Sequence, residues 1–267
     1  MRLAGIVAGL AYGALVSAAA ADPAVMTAAD WTVTVGVEAR VAPNYEGSDH
    51  YIVGPLPLFD IRPAGTPAHF RAPRDGFSIG ILDTGAFRAG PTFKFRFPRR
   101  ESEDPGLQGL GNVDWAYEVG GFAEYWAASW LRARIELRQG FGGHHGVVAD
   151  LTGDVVVPIT PALTLSGGPR LTLATDAATA PYFSVTSQQS IASGLPVYDA
   201  KGGLRSLGAG VQARYEFSRQ WASHVFFEYE RLAGDAANSP IVTNFGARTQ
   251  IQVGIGVTYS FDMPRPW

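Results

Sequence analysis

The stretch Leu131-Arg132-Ala133-Arg134-Ile135-Glu136-Leu137-Arg138 decides the fold. In an extended chain alternate side chains face opposite ways, so the four apolar residues share one side and the four charged residues the other. A charged row of this kind cannot form the dry core of a sandwich. It can line a hydrated or ion-paired lumen while the apolar row meets lipid.

The same period of two recurs along the chain. Trp31, Val33, Val35, Val37, Ala39 and Val41 alternate with Thr32, Thr34, Gly36, Glu38 and Arg40. Phe93, Phe95 and Phe97 alternate with Thr92, Lys94 and Arg96, and Ile251, Val253, Ile255, Val257, Tyr259 and Phe261 alternate with Gln250, Gln252, Gly254, Gly256, Thr258 and Ser260. These segments reach about 10 residues or more, the length of a tilted membrane-crossing strand, whereas strands of soluble domains cluster near 5 to 6. The pattern predicts an all-β, transmembrane, antiparallel up-and-down β-barrel of about 12 strands, with 10 as the alternative.

Strands are expected near 31–42, 52–62, 67–72, 76–82, 86–97, 114–127, 129–140, 147–157, 161–173, 203–217, 220–231 and 248–261, of which 67–72 is the shortest. Short connections at Arg62–Thr66, Asp83–Gly85, Ala128, Pro158–Pro161 and Ser218–Arg219 alternate with long ones at Pro98–Asp114, Thr175–Gly202 and Leu232–Ala247. Barrels of the outer membrane have short periplasmic turns and long outer loops, which puts both termini in the periplasm. In this registration Trp31, Trp130, Trp221 and Phe261 fall at one level, as a periplasmic aromatic girdle.

Arg2, the apolar run Leu3–Val16 and the small residues Ala18–Ala21 read as a cleaved signal peptide over 1–21. The run is too short for a permanent helical span. A short periplasmic segment at 22–30, the barrel at 31–261 and a tail at 262–267 complete the organisation. The 267-residue chain has no cysteine, which excludes disulfides, thiolate metal sites and a lipid-anchored N-terminus. Its formal net charge of −3 gives nucleic-acid binding no electrostatic support.

No catalytic, cofactor or metal site emerges. His144 and His145 are neighbours, whose side chains diverge in extended backbone, and a glycine-rich outer loop with His145 folded into the barrel mouth is the expected arrangement. Tyr45, Glu46 and Asp49 read as a tight turn rather than a cation site. Ser223 and His224 also face opposite sides, and no nucleophile elbow surrounds them. Arg132, Arg134 and Arg138 beside Glu118, Glu124 and Glu136 read as ion-paired lumen filling.

Several motifs follow one another in a specific order. They are Pro43-Asn44-Tyr45-Glu46-Gly47-Ser48-Asp49, Leu56-Pro57, Gly109-Leu110-Gly111-Asn112-Val113-Asp114, Gly143-His144-His145-Gly146, Ser190-Ile191-Ala192-Ser193-Gly194-Leu195-Pro196, Glu228-Tyr229-Glu230-Arg231-Leu232, Gly234-Asp235-Ala236-Ala237-Asn238-Ser239-Pro240 and Tyr259-Ser260-Phe261. In these the chain resembles the MipA/OmpV family of outer-membrane proteins over nearly all of its mature length. It departs at the end, where Asp262–Trp267 runs past the phenylalanine that commonly closes barrel chains.

The resemblance implies a non-enzymatic barrel of the outer membrane, in contact with its lipids. It further implies a scaffold role, joining a murein transglycosylase to a murein synthase. The motif residues it marks are Tyr45, Glu46, Gly47, Asp49, Asn112, Asp114, His144, Gly146, Asp235, Ser239 and Pro240. The Tyr45–Asp49 and Asp235–Pro240 segments are expected to fold over the barrel mouth, tied by Glu46, Asp49 and Asp235. A narrow channel or solute-response porin is the alternative reading, and an outer-membrane hydrolase the third.

Overall fold

A computed structural model describes residues 31–264. The expected signal peptide, the 22–30 segment and the last three residues of the tail lie outside them. One antiparallel sheet holds twelve strands: β1 Trp31–Pro43, β2 Tyr51–Pro63, β3 Phe77–Ser78, β4 Leu82–Asp83, β5 Phe87–Arg96, β6 Ala116–Ala128, β7 Leu131–Gly142, β8 Val147–Pro158, β9 Leu163–Ala174, β10 Gly203–Glu216, β11 Trp221–Leu232 and β12 Thr249–Met263. Sequence neighbours pair from β5 through β12, and β12 pairs back onto β1, from Trp31 opposite Met263 to Val41 opposite Val253. The up-and-down barrel read from the sequence is therefore the fold.

Alternation places the two faces as expected. On β7, Arg132, Arg134, Glu136 and Arg138 are buried, while Leu131, Ile135 and Leu137 are exposed on the outside. On β12, Gly256 is buried between outward Ile255 and Val257. A strand of 12 residues such as β7, at about 3.3 Å per residue and a tilt near 40°, rises roughly 30 Å, which matches a bilayer's hydrocarbon core. No helix among the described residues is long and apolar enough to cross a membrane.

Two expectations about strands need correction. The segment 67–72 is not a strand, and 76–82 contributes only the two-residue pieces β3 and β4, both paired to β5. Prolines explain this, because Pro63, Pro67 and Pro73 bracket the segment and none can donate to a ladder. The ring is consequently nearly closed rather than closed: β2 and β3 are the ends of the sheet and share no ladder. The seam is held instead by Arg71 Nη1 donating to the Phe59 carbonyl at 3.4 Å and by the Phe59 and Phe77 rings, 5.8 Å apart.

At one end the strands are joined by short turns. At the other, long connections carry α1 Asp176–Phe183, α2 Ser187–Ser193, α3 Gly234–Asn238 and α4 Pro240–Phe245. Sequence sets their ends locally. Thr186 and Gln189 form a reciprocal capping box on α2, which stops at Gly194 in left-handed backbone, φ +76°. Ser239 caps α4, whose first residue is Pro240.

Candidate functional site

The lumen is the candidate site, and it is filled from three sides. Its wall is a charge network. Arg132 donates to Glu124 (2.8 Å), Asp154 (2.8 Å) and Asp75 (2.6 Å). Arg134 bonds Glu124 at 3.1 Å and Glu136 at 2.6 Å, and Arg138 bonds Glu118 at 2.9 Å, Asp150 at 2.5 Å and Glu136. Arg170 continues the chain to Asp154 and Glu228. Mutual pairing counters the cost of removing these charges from water, and the expected ion-paired filling is what these rows form.

The segment between β2 and β3 supplies the second part, because it turns inward as a plug. Arg74 reaches across to the Thr172 hydroxyl (2.6 Å) and Glu230 (3.0 Å) on the far wall. Asp75 meets Arg132, the Gly76 N–H donates to Glu136 at 3.0 Å, and Phe70 packs edge-on against Trp126 at 6.1 Å with Arg132 over its other side. The plug thereby ties the seam to β6, β7, β9 and β11.

The third part is a lid built from the long connections, with apolar cores of its own. One contains Tyr182, Phe183, Leu232, Ala236 and Val242; another contains Tyr45, Leu107, Leu110, Val185 and Ile241; Tyr198 packs on both. Glu46 anchors the lid to the wall. It accepts from Arg96 on β5 at 2.8 Å and from both Nε (2.6 Å) and Nη2 of Arg205 on β10. Burial raises its carboxyl pKa, but the Arg205 and Arg96 charges outweigh this and hold it below the ordinary value. Burial, reinforced by the nearby Asp104 charge, pushes the Tyr45 phenol up to about 12, so it stays neutral.

Most of the motif residues meet in this lid. Gly47, at φ +96°, donates its N–H to Gln250 at 3.0 Å and accepts from the Ala247 N–H. Asp235 accepts from the Lys201 N–H at 2.8 Å, and the Ser239 hydroxyl donates to the Phe183 carbonyl at 2.6 Å, with Pro240 buried beside it. Gly146 lies so close to α1 that a Cβ there would stand 2.1 Å from the Ala178 nitrogen. Asn112 accepts from the Glu101 N–H.

Asp49 and Asp114 stay exposed, Asp49 beside the His50 ring at 3.3 Å. The histidine expectation reverses. His144, not His145, enters the mouth, where its Nε2 lies 3.1 Å from Glu118 while His145 is exposed. The residue pointing outward was the wrong one because the chain turns at Gly142, φ +90°, which resets the alternation. His224 faces the lumen as expected but pairs with Glu38 at 2.7 Å, and Ser223 sits on the opposite side of the strand. Trp31, Trp130, Trp221 and Phe261 lie at the short-turn end of their strands, Trp221 packed on Tyr259 with ring centroids 4.8 Å apart.

Sequence reading missed Arg205, Arg99 and Arg74. Arg205 lies at a register shift between Leu204 and Ser206, so strict alternation sends it to the wrong face. Arg99 is buried at 2% exposure and donates to the Tyr182 carbonyl at 2.7 Å, with no ion pair to a carboxylate among the described residues. Arg74 falls between the strands expected at 67–72 and 76–82.

Among known proteins, the family model described as MltA-interacting protein MipA matches residues 6–261. No curated protein matches the chain. Solved structures with a similar fold include the KdgM porin, 12% identical over 85% of this chain and 99% of that one, TM-score 0.42. An outer membrane channel from Pseudomonas putida F1 is 10% identical over 90% of this chain and all of that one, TM-score 0.44.

Proposed function

Since the chain belongs to the MipA family, whose description is that of an MltA-interacting protein, we propose that it is a non-conducting barrel of the outer membrane that serves as an interaction scaffold for the murein machinery. One observation carries this reading: the lumen is blocked at three levels, by the Arg132–Glu124–Asp75 network, by the plug with Arg74 and by the lid anchored on Glu46. The Ser–His neighbours on β11 are divided between its two faces, His224 meeting Glu38 inside while Ser223 lies on the opposite side.

A partner in the periplasm reaches the short-turn end, at Arg62–Thr66, Pro158–Pro161 and Ser218–Arg219, together with the 22–30 segment and the tail. Residues 1–21 act as the export signal in this reading, and Trp31, Trp130, Trp221 and Phe261 as the interfacial girdle on that side.

Two measurements on the full mature chain test the proposal. In planar bilayers it is expected to give no steady openings; selective steps would make it a channel. Photo-crosslinkers placed at Thr66, Thr160 and Arg219 in intact cells are expected to capture a murein transglycosylase or synthase. Capture of neither, from any of the three turns, would remove the scaffold role.

A further inference from the structure

Arginines in this molecule use one edge of the guanidinium on carboxylates. Arg132, Arg134 and Arg205 each turn the Nε–Nη2 edge onto one, Glu124, Glu136 and Glu46 respectively. Arg99, in the connection from β5 to β6, is as deeply buried and uses only Nη1, on the Tyr182 carbonyl. Its Nε is buried without a hydrogen-bond partner, and Nη2 has none among the described residues. Burial pulls its pKa below the ordinary value, and the titratable groups acting on it are the phenols of Tyr45 and Tyr182, which burial holds neutral. A neutral partner would satisfy the free N–H groups but would not balance the charge.

The fold sets this guanidinium at a cavity. Arg99 and Val113 exchange backbone hydrogen bonds of 2.9 and 2.8 Å across the connection, and Arg99 lines a cavity of about 320 Å³ together with Asn112, Gly142, Gly143, Pro181 and Gln189. The Asn112 oxygen accepts from the Glu101 N–H, so its NH2 group remains for a ligand. Asp114 also lines the cavity but is exposed, where water and salt screen its charge.

Its level in the barrel suggests what it meets. Exposed Phe97, Trp115 and Phe141 sit at the long-connection ends of β5, β6 and β7, with the Phe97 and Trp115 rings 5.1 Å apart, as an aromatic girdle at the second membrane interface. Arg99 follows Phe97 by two positions, a rise of roughly 5 Å along a tilted strand, and the headgroup layer is about 5 to 7 Å deep. The cavity therefore stands at headgroup height.

We propose that Arg99 and Asn112 bind a phosphate group in this cavity, carried by a lipid headgroup or taken up as the free ion. The Nε–Nη2 edge presents two parallel N–H groups that match two oxygens of a phosphate or a carboxylate. The Asn112 amide adds a donor for a third oxygen, which phosphate has and carboxylate lacks.

The full mature chain in a phosphate-free, non-ionic detergent is titrated with sodium phosphate by calorimetry. In parallel it is mixed with phosphatidylglycerol, or with diacylglycerol as the control, and weighed by native mass spectrometry. Saturable phosphate binding is expected, with sulfate competing and chloride not, and with slower proteolysis of the 175–202 connection, because Pro181 and Gln189 line the cavity. Retained phosphatidylglycerol that blocks the titration would make lipid the source; a titration indifferent to it would make the free ion the ligand. Arg99→Gln should raise the half-saturating phosphate concentration roughly tenfold or more, the loss of hydrogen bonds from a charged donor. Asn112→Asp keeps the oxygen that accepts from Glu101 but puts a negative charge at the cavity, and should also weaken binding. Each variant must first show a band that shifts on boiling, and Asn112→Asp decides alone where Arg99→Gln fails to assemble. Absence of both phosphate binding and retained phosphatidylglycerol in the native chain would overturn the site. So would binding by either assembled variant equal to that of the native chain.

Discussion

Glu46 stands where three elements meet, on the β1–β2 connection and between arginines of β5 and β10. Its side chain is 22% exposed, whereas that of Arg205 is 1% exposed and has no second carboxylate among the described residues. Glu46→Gln would leave that guanidinium buried and unpaired, at a cost of about 2 to 3 kcal/mol to the lid after allowing for the exposure of Glu46. Because the Glu46 pKa is lowered on folding, its contribution is present above the unfolded value near 4.3 and is lost as pH falls through the folded one. His50 acts oppositely. Its hydrogen bond to Asp104 at 3.0 Å, helped by the Asp49 charge, raises its pKa. That tie is complete below about pH 6.5 and is lost as pH rises through the raised value. Limited proteolysis of the 175–202 connection should therefore be fastest in Glu46→Gln and speed up in the native chain at acidic pH. Equal rates in the variant and the native chain at pH 7 would deny Glu46 its anchoring role.

At the scale of elements, what was legible follows from what alternation can encode. Most of the ten long strands declare themselves because a polar or charged inward row alternates with an apolar outward row, as in β7 with Arg132 to Arg138, whereas the upper half of β2 is apolar on both faces. The plug does not, since Ala68-His69-Phe70-Arg71-Ala72 also alternates and a period of two states only that a chain is extended, not that it pairs. The prolines at 63, 67 and 73 were the available signal. Lid contacts were legible only as motifs, because Glu46 and Arg205 lie far apart in sequence and Arg205 sits on a bulge. The plug's hold on the wall is testable through Asp75, whose carboxylate meets Arg132 and Arg134. Asp75→Asn should cost about 2 kcal/mol, less than the usual 3 to 5 for a broken buried pair, because Arg132 keeps Glu124 and Asp154. The local consequence should be larger: amide protection lost over 72–76 with the strands unchanged, and brief current steps where the native chain is silent. Unchanged protection at Gly76 would mean that Glu136 alone holds the plug.

The whole molecule is a nearly closed ring with an exposed apolar outer face and a charge network on its inner face, and these faces differ in what they tolerate. Ile255 lies near the middle of β12, 63% exposed on the outer face, whereas Gln252 faces inward opposite Glu228 on β11. A lysine at 255 must bring its ammonium into hydrocarbon, at roughly 2 to 4 kcal/mol near the midplane. A lysine at 252 finds a carboxylate across the ladder instead. The assembled barrel should resist SDS until boiled, because every long strand except β2 has a ladder on both sides over most of its length, and the prolines of β2 keep its free edge from templating aggregation. Ile255→Lys should deplete that heat-shifted band by an order of magnitude or more, the loss that about 2 kcal/mol implies, while Gln252→Lys leaves it nearly intact. Equal depletion by the two would mean that both faces exclude charge, which is the behaviour of a dry sandwich and not of a barrel with a charged lumen.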